Sequence, residues 1–130
     1  MSTTQPGSRP AFVIRLRGEF DIWERDRLRD AFAVAASAPL VIVDFEKVTY
    51  MDSTALSCLI ELREATAMRS GELFLVNLAP FCRRIIEICG LDRVFDIRGS
   101  LSSVPGITSV PRAPELTLVS HHVATIGEPA

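Results

Sequence analysis

Lysine is nearly absent from this chain. Lys47 is the only one, and the other basic residues are arginines scattered along the sequence. The 14 basic residues are outnumbered by 16 acidic ones, which gives a net charge of −2. Domains that bind nucleic acid or acidic membrane surfaces usually carry a clustered basic excess. The composition therefore argues against both kinds of partner.

Long apolar runs are also lacking. No stretch reaches about 18 consecutive apolar residues, the length expected of a membrane-spanning helix. The first eight residues contain neither a basic region nor an apolar core, so they do not resemble a signal peptide. We therefore predict a cytoplasmic protein without a membrane segment.

Cysteine and histidine are too few and too far apart for a metal site. Cys58, Cys82 and Cys89 form no Cys-x-x-Cys pair, and the two histidines are His121 and His122. A zinc site needs closely spaced ligands of these types. We predict no metal and no cofactor, and we expect the thiols to lie in the core of a protein from a reducing compartment.

Two signatures of enzymes are missing as well. A nucleophilic serine needs a general base, usually histidine, and often sits in a Gly-x-Ser-x-Gly turn. That turn is absent, both histidines lie in a proline-rich segment, and no glycine-rich phosphate loop is present. We therefore predict that the protein is not an enzyme.

The 130 residues, 48% of them hydrophobic, suffice for one domain with a real core. Hydrophobic periodicity and turn residues predict strands at 11–17, 40–45, 73–77 and 94–97, with helices at 22–37, 52–68 and 80–89. This order predicts an α/β fold with a mixed, mainly parallel sheet of four to five strands and about three to four helices.

The two ends of the chain differ in composition from its middle. Residues 1–10 are rich in Pro, Gly and Ser and are predicted to be a flexible leader, with the domain spanning 11–98. Residues 99–130 are predicted to form a Pro/Ser-rich tail, although Leu116 to Val119 could pair with a sheet edge. Deleting this tail is expected, on composition, to leave a folded domain.

Two turns that open helices carry polar residues suited to chemistry. Asp52-Ser53-Thr54 follows the second strand, and Asp, Ser and Thr are residues that cap helix N-termini. Gly18 is predicted to end the first strand, and Asp21 with Glu24 three residues later resembles a capping box. Because both turns follow strand C-termini, we expect them to lie side by side at one sheet edge.

These residues carry a family resemblance. Asp52-Ser53-Thr54-Ala55-Leu56 resembles the Asp-Ser-Ser/Thr-Gly-Leu motif of the STAS domain, which is found in sulfate transporters and anti-sigma factor antagonists. Gly18-Glu19-Phe20-Asp21 is similar to that family's turn after its early strand. Ala79-Pro80, Arg83-Arg84 and the segment from Gly90 to Phe95 are similar to its third helix and final strand. Ala55 departs from the usual Gly and could narrow a kinase's approach to the serine, and the family's closing helix is not evident after Ile97.

The resemblance implies a bacterial partner-switching regulator of transcription. Such a protein binds an anti-sigma factor, often a serine kinase, and thereby frees a sigma factor. The kinase phosphorylates the serine after the Asp, here Ser53, and a phosphatase reverses the modification. The alternative that the resemblance also allows is a non-switching STAS subunit of a larger complex for lipid transport or stress signalling.

The predicted partner surface comprises both turns. Its members are Gly18, Glu19, Phe20, Asp21, Met51, Asp52, Ser53, Thr54 and Ala55. Phe20 and Met51 are expected to supply apolar contact, and Thr54 is a second, poorer phosphate acceptor. Ser53 has the alternative role of a plain helix cap.

Two further features have open interpretations. Trp23 is either a partner anchor or a residue packed against the sheet edge. The pair Arg83-Arg84 is either a solvated helix face or a phosphate clamp.

Overall fold

The computed structural model describes residues 10–106 and 115–120. The elements, in chain order, are β1 (Ala11–Phe20), a 3-10 turn (Ile22–Glu24), α1 (Arg25–Ala35), β2 (Leu40–Met51), α2 (Ser53–Met68), β3 (Glu72–Val76), α3 (Pro80–Ile88), β4 (Asp96–Arg98), a second 3-10 turn (Leu101–Ser103) and β5 (Glu115–Val119). The five strands form one sheet in the order β4-β3-β2-β1-β5, and every described strand pair is parallel. The predicted α/β fold is confirmed, with a wholly parallel sheet where a mixed one was expected.

The sheet has a main core on one face, where the helices pack. Residues at alternating positions of the strands face this core, and Ile14, Val43 and Leu75 among them are fully buried. Helix α1 contributes the stripe Leu28, Ala31, Phe32 and Ala35, as its periodicity predicts. Helix α3 buries Cys82 and Ile86, whereas Phe81 and Ile88 are exposed.

A smaller core lies on the opposite face of the sheet. A second cluster of buried residues joins the first halves of β1 and β2 to β3 and to Val104. Leu101 of the second 3-10 turn packs against this cluster. The segment after β4 therefore supplies apolar cover to the sheet, which its composition does not suggest.

The strands β1 and β2 run further than predicted because their pairing tolerates two irregularities. Arg15 pairs with Asp44 but Arg17 pairs with Lys47, so β2 carries an extra residue there. The register shifts again after Gly18, whose φ of 108° is accessible mainly to glycine. The prediction that Gly18 ends β1 is therefore wrong, because β1 continues through Gly18 to Phe20 opposite the bulges of β2.

Asp44 closes the first bulge from within the sheet. Its carboxylate is buried and accepts hydrogen bonds from the Glu46 backbone N–H at 2.9 Å and from the Asn77 side chain at 3.0 Å. It also pairs with Arg15, which donates to Glu115 of β5 at 2.7 Å. The hydrogen bond to Glu115 is the main reason that the pKa of Arg15 is raised. This network fastens β5 to the two central strands.

Strand β5 lies within the segment assigned to the tail. Its register places Leu116 beside Ile14 and Leu118 beside Leu16, and Leu118 is buried. The expected pairing of Leu116 to Val119 with a sheet edge is confirmed. Because these residues complete the sheet, composition alone gives a poor guide to where the folded part ends.

The cysteines are all free, and only two are in the core. Cys58 and Cys82 are buried, and burial raises the pKa of both thiols, that of Cys82 to about 11. Cys89 is exposed, so its predicted core location is wrong. Among residues 10–106 and 115–120, no helix is long and apolar enough to cross a membrane and no group of three His, Cys, Asp or Glu side chains could hold a metal ion. His121 and His122, the two histidines considered as metal ligands or as a general base, lie outside the described residues.

Candidate functional site

The two polar turns meet at one edge of the sheet. Phe20, the last residue of β1, is the Cα partner of Met51, the last residue of β2. Asp21 and Asp52 therefore leave the sheet from neighbouring strands at the same end. This adjacency agrees with the expectation from strand order, because the carboxyl ends of parallel strands share an edge.

The two aspartates have the same local geometry. Asp21 Oδ1 accepts a hydrogen bond from the Trp23 backbone N–H at 3.0 Å, and Asp52 Oδ1 accepts one from the Thr54 N–H at 2.9 Å. Both residues have extended backbones, as expected of an N-cap. Each carboxylate thus satisfies an otherwise unpaired N–H group, and the predicted capping role of both residues is confirmed.

Glu24 is buried, although polar residues follow it in the sequence. Its side chain is fully buried and accepts a hydrogen bond from Arg27 Nη1 at 2.8 Å. Arg27 also donates to the Val119 carbonyl of β5 at 2.8 Å. A buried carboxylate requires such pairing, and this one links the Asp21 turn to the end of β5. A further bond, from the Glu19 N–H to Ser120 Oγ at 3.0 Å, ties the same two segments.

Ser53 is the exposed hydroxyl of the site. It is the first residue of the 16-residue helix α2, next to the capping Asp52. A helix N-terminus favours negative charge because its N–H groups and the helix dipole point toward it. Thr54, one residue on, is half-buried. A phosphate at Ser53 would lie in solvent at the favourable end of a long helix.

Four predicted surface residues are buried. Gly18, Phe20, Met51 and Ala55 lie in the protein interior. The exposed fraction is 0% for Phe20, 1% for Met51 and 3% for Ala55. The prediction that Phe20 and Met51 contact a partner directly is therefore wrong for this conformation. Their burial anchors the two strand ends against the helices. The Ala55 methyl group is packed in the core as well, so it does not narrow the approach to Ser53.

Apolar residues not included in the predicted surface are exposed instead. Ile22 is 58% exposed, Trp23 74% and Tyr50 45%. Such exposure does not fit the alternative in which Trp23 packs against the sheet edge. Ile22 and Tyr50 were missed, although Tyr50 immediately precedes the buried Met51 and strand alternation points the two side chains to opposite faces.

The pair Arg83-Arg84 lies on the exposed side of α3. Arg83 makes an ion pair with Glu87 at 3.5 Å, one helical turn later, and Arg84 is exposed. This arrangement is that of a solvated helix face, which was one of the two interpretations.

Removing the Asp52 cap should destabilise the protein measurably. Loss of an N-cap side chain costs about 0.5–2 kcal/mol, so we expect Asp52→Ala to lower the free energy of unfolding by this amount in urea titrations. Ser57→Ala, on an exposed position of the same helix, is the matched control and should change stability little. An Asp52→Ala protein as stable as the control would show that the cap contributes nothing.

Comparisons with known proteins agree on one family. The family model described as the STAS domain matches residues 3–104. A STAS-domain containing protein of Pseudomonas aeruginosa is 33% identical over 86 residues, covering 65% of this chain and 85% of its own length. The anti-sigma-B factor antagonist of Listeria monocytogenes is 29% identical over 87 residues, covering 65% of this chain and 76% of its own.

Solved structures show the same architecture. The anti-sigma factor antagonist SpoIIAA in its unphosphorylated form superposes with a TM-score of 0.59 at 21% identity, covering 75% of this chain and 87% of its own. A sulfate transporter family protein from Wolinella succinogenes gives a TM-score of 0.63 at 16% identity, covering 78% of this chain and 84% of its own. At these identities the likeness establishes the fold alone.

Proposed function

The chain belongs to the STAS domain family, and from this premise we propose that it is an anti-sigma factor antagonist controlled by phosphorylation of Ser53. In the unphosphorylated form it binds an anti-sigma factor that is also a serine kinase, and a sigma factor is released. Phosphorylation ends this binding, and a protein phosphatase restores it. The proposed setting is the bacterial cytoplasm, and the proposed role is that of a binding protein without catalytic activity.

The observation that carries this proposal is the position of Ser53. It is exposed at the N-terminus of α2, beside Asp52, on the sheet edge that also presents the Asp21 turn. A kinase can therefore reach its hydroxyl without unfolding the helix. The names of relatives such as the Listeria protein support the choice of partner class.

Electrostatics explains how one phosphate could act as a switch. Phosphorylation adds about −1.5 to −2 charges at neutral pH, and the helix N-terminus tolerates this charge inside the protein. The surrounding turns already contain Glu19, Asp21 and Asp52 and no basic residue from Gly18 to Trp23 or from Tyr50 to Ala55. A partner fitted to the neutral serine would have to desolvate the new dianion, so binding should be lost while the fold remains.

We expect Ser53→Ala to remove phosphorylation and to keep partner binding. Candidate anti-sigma kinases with ATP would be incubated with the protein, and intact mass would count phosphate groups. Thr54→Ala and Ser57→Ala are matched controls, because they remove the neighbouring hydroxyls of the same helix. A Ser53→Ala protein that is still modified to the normal extent would contradict the assignment. Ser53→Asp should weaken binding only partly, since one carboxylate carries less charge and fewer acceptor oxygens than phosphate.

A second candidate function is a non-switching STAS subunit of a larger complex. The structural likeness to the Wolinella sulfate transporter family protein, with a TM-score of 0.63, supports this alternative. The same mass experiment separates the two functions, because a non-switching subunit would bind its partner without being phosphorylated at Ser53.

A further inference from the structure

The end of β5 is hydrogen-bonded to the end of β1. Strand β5 stops at Val119, the Cα partner of Arg17, so its backbone pairing ends two residues before Glu19. Ser120 continues the connection with its side chain, because its Oγ accepts a hydrogen bond from the Glu19 N–H at 3.0 Å. The Ser120 N–H also donates to the Arg17 carbonyl at 2.9 Å. Since Ser120 is only 4% exposed, water competes little for its hydroxyl.

Arg27 makes a second connection, from the first turn of α1. Its Nη1 donates to the Val119 carbonyl and to Glu24 Oε1, both at 2.8 Å. Glu24 is fully buried, and a buried carboxylate needs donors of this kind. One guanidinium nitrogen therefore fixes the last residue of the first 3-10 turn and the last residue of β5 relative to each other.

The Asp21 turn, residues 21–24, is short. Its 3-10 helix has three residues, Ile22–Glu24, and 3-10 hydrogen bonds have poorer geometry than those of an α-helix. Within the turn, the Trp23 N–H donates to the Asp21 carboxylate at 3.0 Å and the Glu24 N–H to the Asp21 carbonyl at 2.9 Å. Short surface segments of this kind open locally at a lower cost than global unfolding. The contacts with β5 therefore affect how firmly the turn keeps its conformation.

We infer that Arg27 and Ser120 are positioning residues, which keep the Asp21 turn in its partner-binding conformation through the end of β5; the inference rests on the proposed function. Ser120 is buried, and Arg27 acts through Glu24 and the Val119 carbonyl. The state of β5 is thus coupled to the affinity of the site. Because coupling is reciprocal, binding of the anti-sigma factor stabilises the end of β5 in return.

The coupling is measurable in the full-length protein alone. The Trp23 and Glu24 N–H groups are both hydrogen-bonded within the turn, so their exchange with deuterium, followed by NMR, reports its opening. We expect Ser120→Ala and Arg27→Met each to speed this exchange about two- to tenfold, the effect of losing an ordinary hydrogen bond. Arg27→Lys keeps a cationic donor and should therefore exchange more slowly than Arg27→Met.

Thr66→Ala is the matched control. Thr66 is 1% exposed, and its Oγ1 donates to the Arg63 carbonyl at 2.9 Å, at the opposite end of α2 from Ser53. The variant also loses a buried side-chain hydrogen bond, so its stability should fall as well. The Trp23 and Glu24 amides should nevertheless exchange at the wild-type rate, because they exchange through local opening of the turn.

The anti-sigma kinase that phosphorylates Ser53 in the mass experiment is the probe of binding. Affinity falls in proportion to the fraction of molecules in the competent conformation, so the double variant Arg27→Met/Ser120→Ala should bind at least about threefold more weakly. Its KM for phosphorylation should rise with kcat unchanged, since the lost contacts concern binding and not phosphoryl transfer. Thr66→Ala should bind as wild type does. In the wild type, added kinase should slow exchange of the Ser120 N–H.

The outcomes separate this inference from the proposed function. If the Trp23 and Glu24 amides exchange at the wild-type rate in the double variant, the end of β5 does not hold the turn and the inference is wrong. If they exchange faster but the kinase binds the double variant and the wild type equally well, the inference again fails, while phosphorylation of Ser53 still supports the proposed function. Equal weakening by Thr66→Ala would assign the effect to stability alone and overturn the inference. If no anti-sigma kinase binds the wild type, the proposed function fails and the inference fails with it. Should the double variant not fold, Ser120→Ala alone decides by the same measurements.

Discussion

The Phe20→Ala variant is expected to lose about 3–5 kcal/mol of unfolding free energy, the range for truncating a buried aromatic side chain. Phe20 is fully buried in the main core, at the last position of β1 and opposite Met51 of β2. Its removal leaves a cavity directly beneath the two capped turns. A single domain typically has about 5–15 kcal/mol of stability in total, so the variant should unfold at markedly lower urea concentration.

Trp23→Ala is the control for this prediction. It lies three residues later but is largely exposed, and surface changes usually stay within about 0.5 kcal/mol. Comparing the two variants distinguishes a side chain that packs the turns against the core from one that can contact a partner. If Phe20→Ala were as stable as wild type yet unable to bind, Phe20 would be a surface contact, as the sequence predicted, and not a core residue.

The order of strands and helices could be predicted because hydrophobic periodicity is strong in most segments. The Leu28-to-Ala35 stripe of α1 and the Pro80 start of α3 were both placed correctly. The adjacency of the Asp21 and Asp52 turns also followed, since parallel strands put their carboxyl ends on one edge. Motif and topology together were therefore sufficient to place the two turns at one edge of the sheet.

The side-chain orientation at that site was mispredicted because both strands were expected to end too early. The first two strands were predicted to end at residues 17 and 45, which left Phe20 and Met51 in polar turns. The pairing instead continues to both residues, past two places where β2 carries an extra residue opposite β1. The amino acids near Glu46 and Thr49 give no sign of these bulges, so the length of the strands did not follow from the local pattern. Tyr50, which is exposed, was missed for the same reason.

Long-range contacts account for the other differences. Glu24 precedes a run of polar residues, a pattern typical of an exposed position, but its side chain is buried and accepts a hydrogen bond from Arg27. Arg27 also donates to the Val119 carbonyl, 92 residues further along the chain. A local pattern contains no information on such a contact. Similarly, Val104 lies in a Pro/Ser-rich segment whose composition gives no sign that this residue is buried against the second face of the sheet.

The same long-range contacts bear on the segment that composition suggested was dispensable. We now expect that deleting 99–130 removes cooperative unfolding or lowers the free energy of unfolding by several kcal/mol. The deletion takes away β5, leaving β1 as an unpaired sheet edge, and it removes the buried side chains of Val104 and Leu118. Burying an aliphatic side chain contributes about 1.5–3 kcal/mol, and an uncovered hydrophobic edge strand favours aggregation.

Polar contacts are lost in that deletion together with the apolar ones. Arg15 would lose Glu115, Arg27 would lose the Val119 carbonyl, and the Glu19 N–H would lose Ser120 Oγ. Thermal and urea unfolding would measure the effect, with Leu118→Ala as a full-length comparison expected to cost about 2–5 kcal/mol, the range for a buried leucine. A truncated protein that unfolds cooperatively at the full-length midpoint would show that β5 and the segment around Val104 add nothing to the core, as the composition had suggested. A truncated protein that is folded but less stable should also bind its partner more weakly, because two of the lost contacts hold the Asp21 turn of the predicted partner surface.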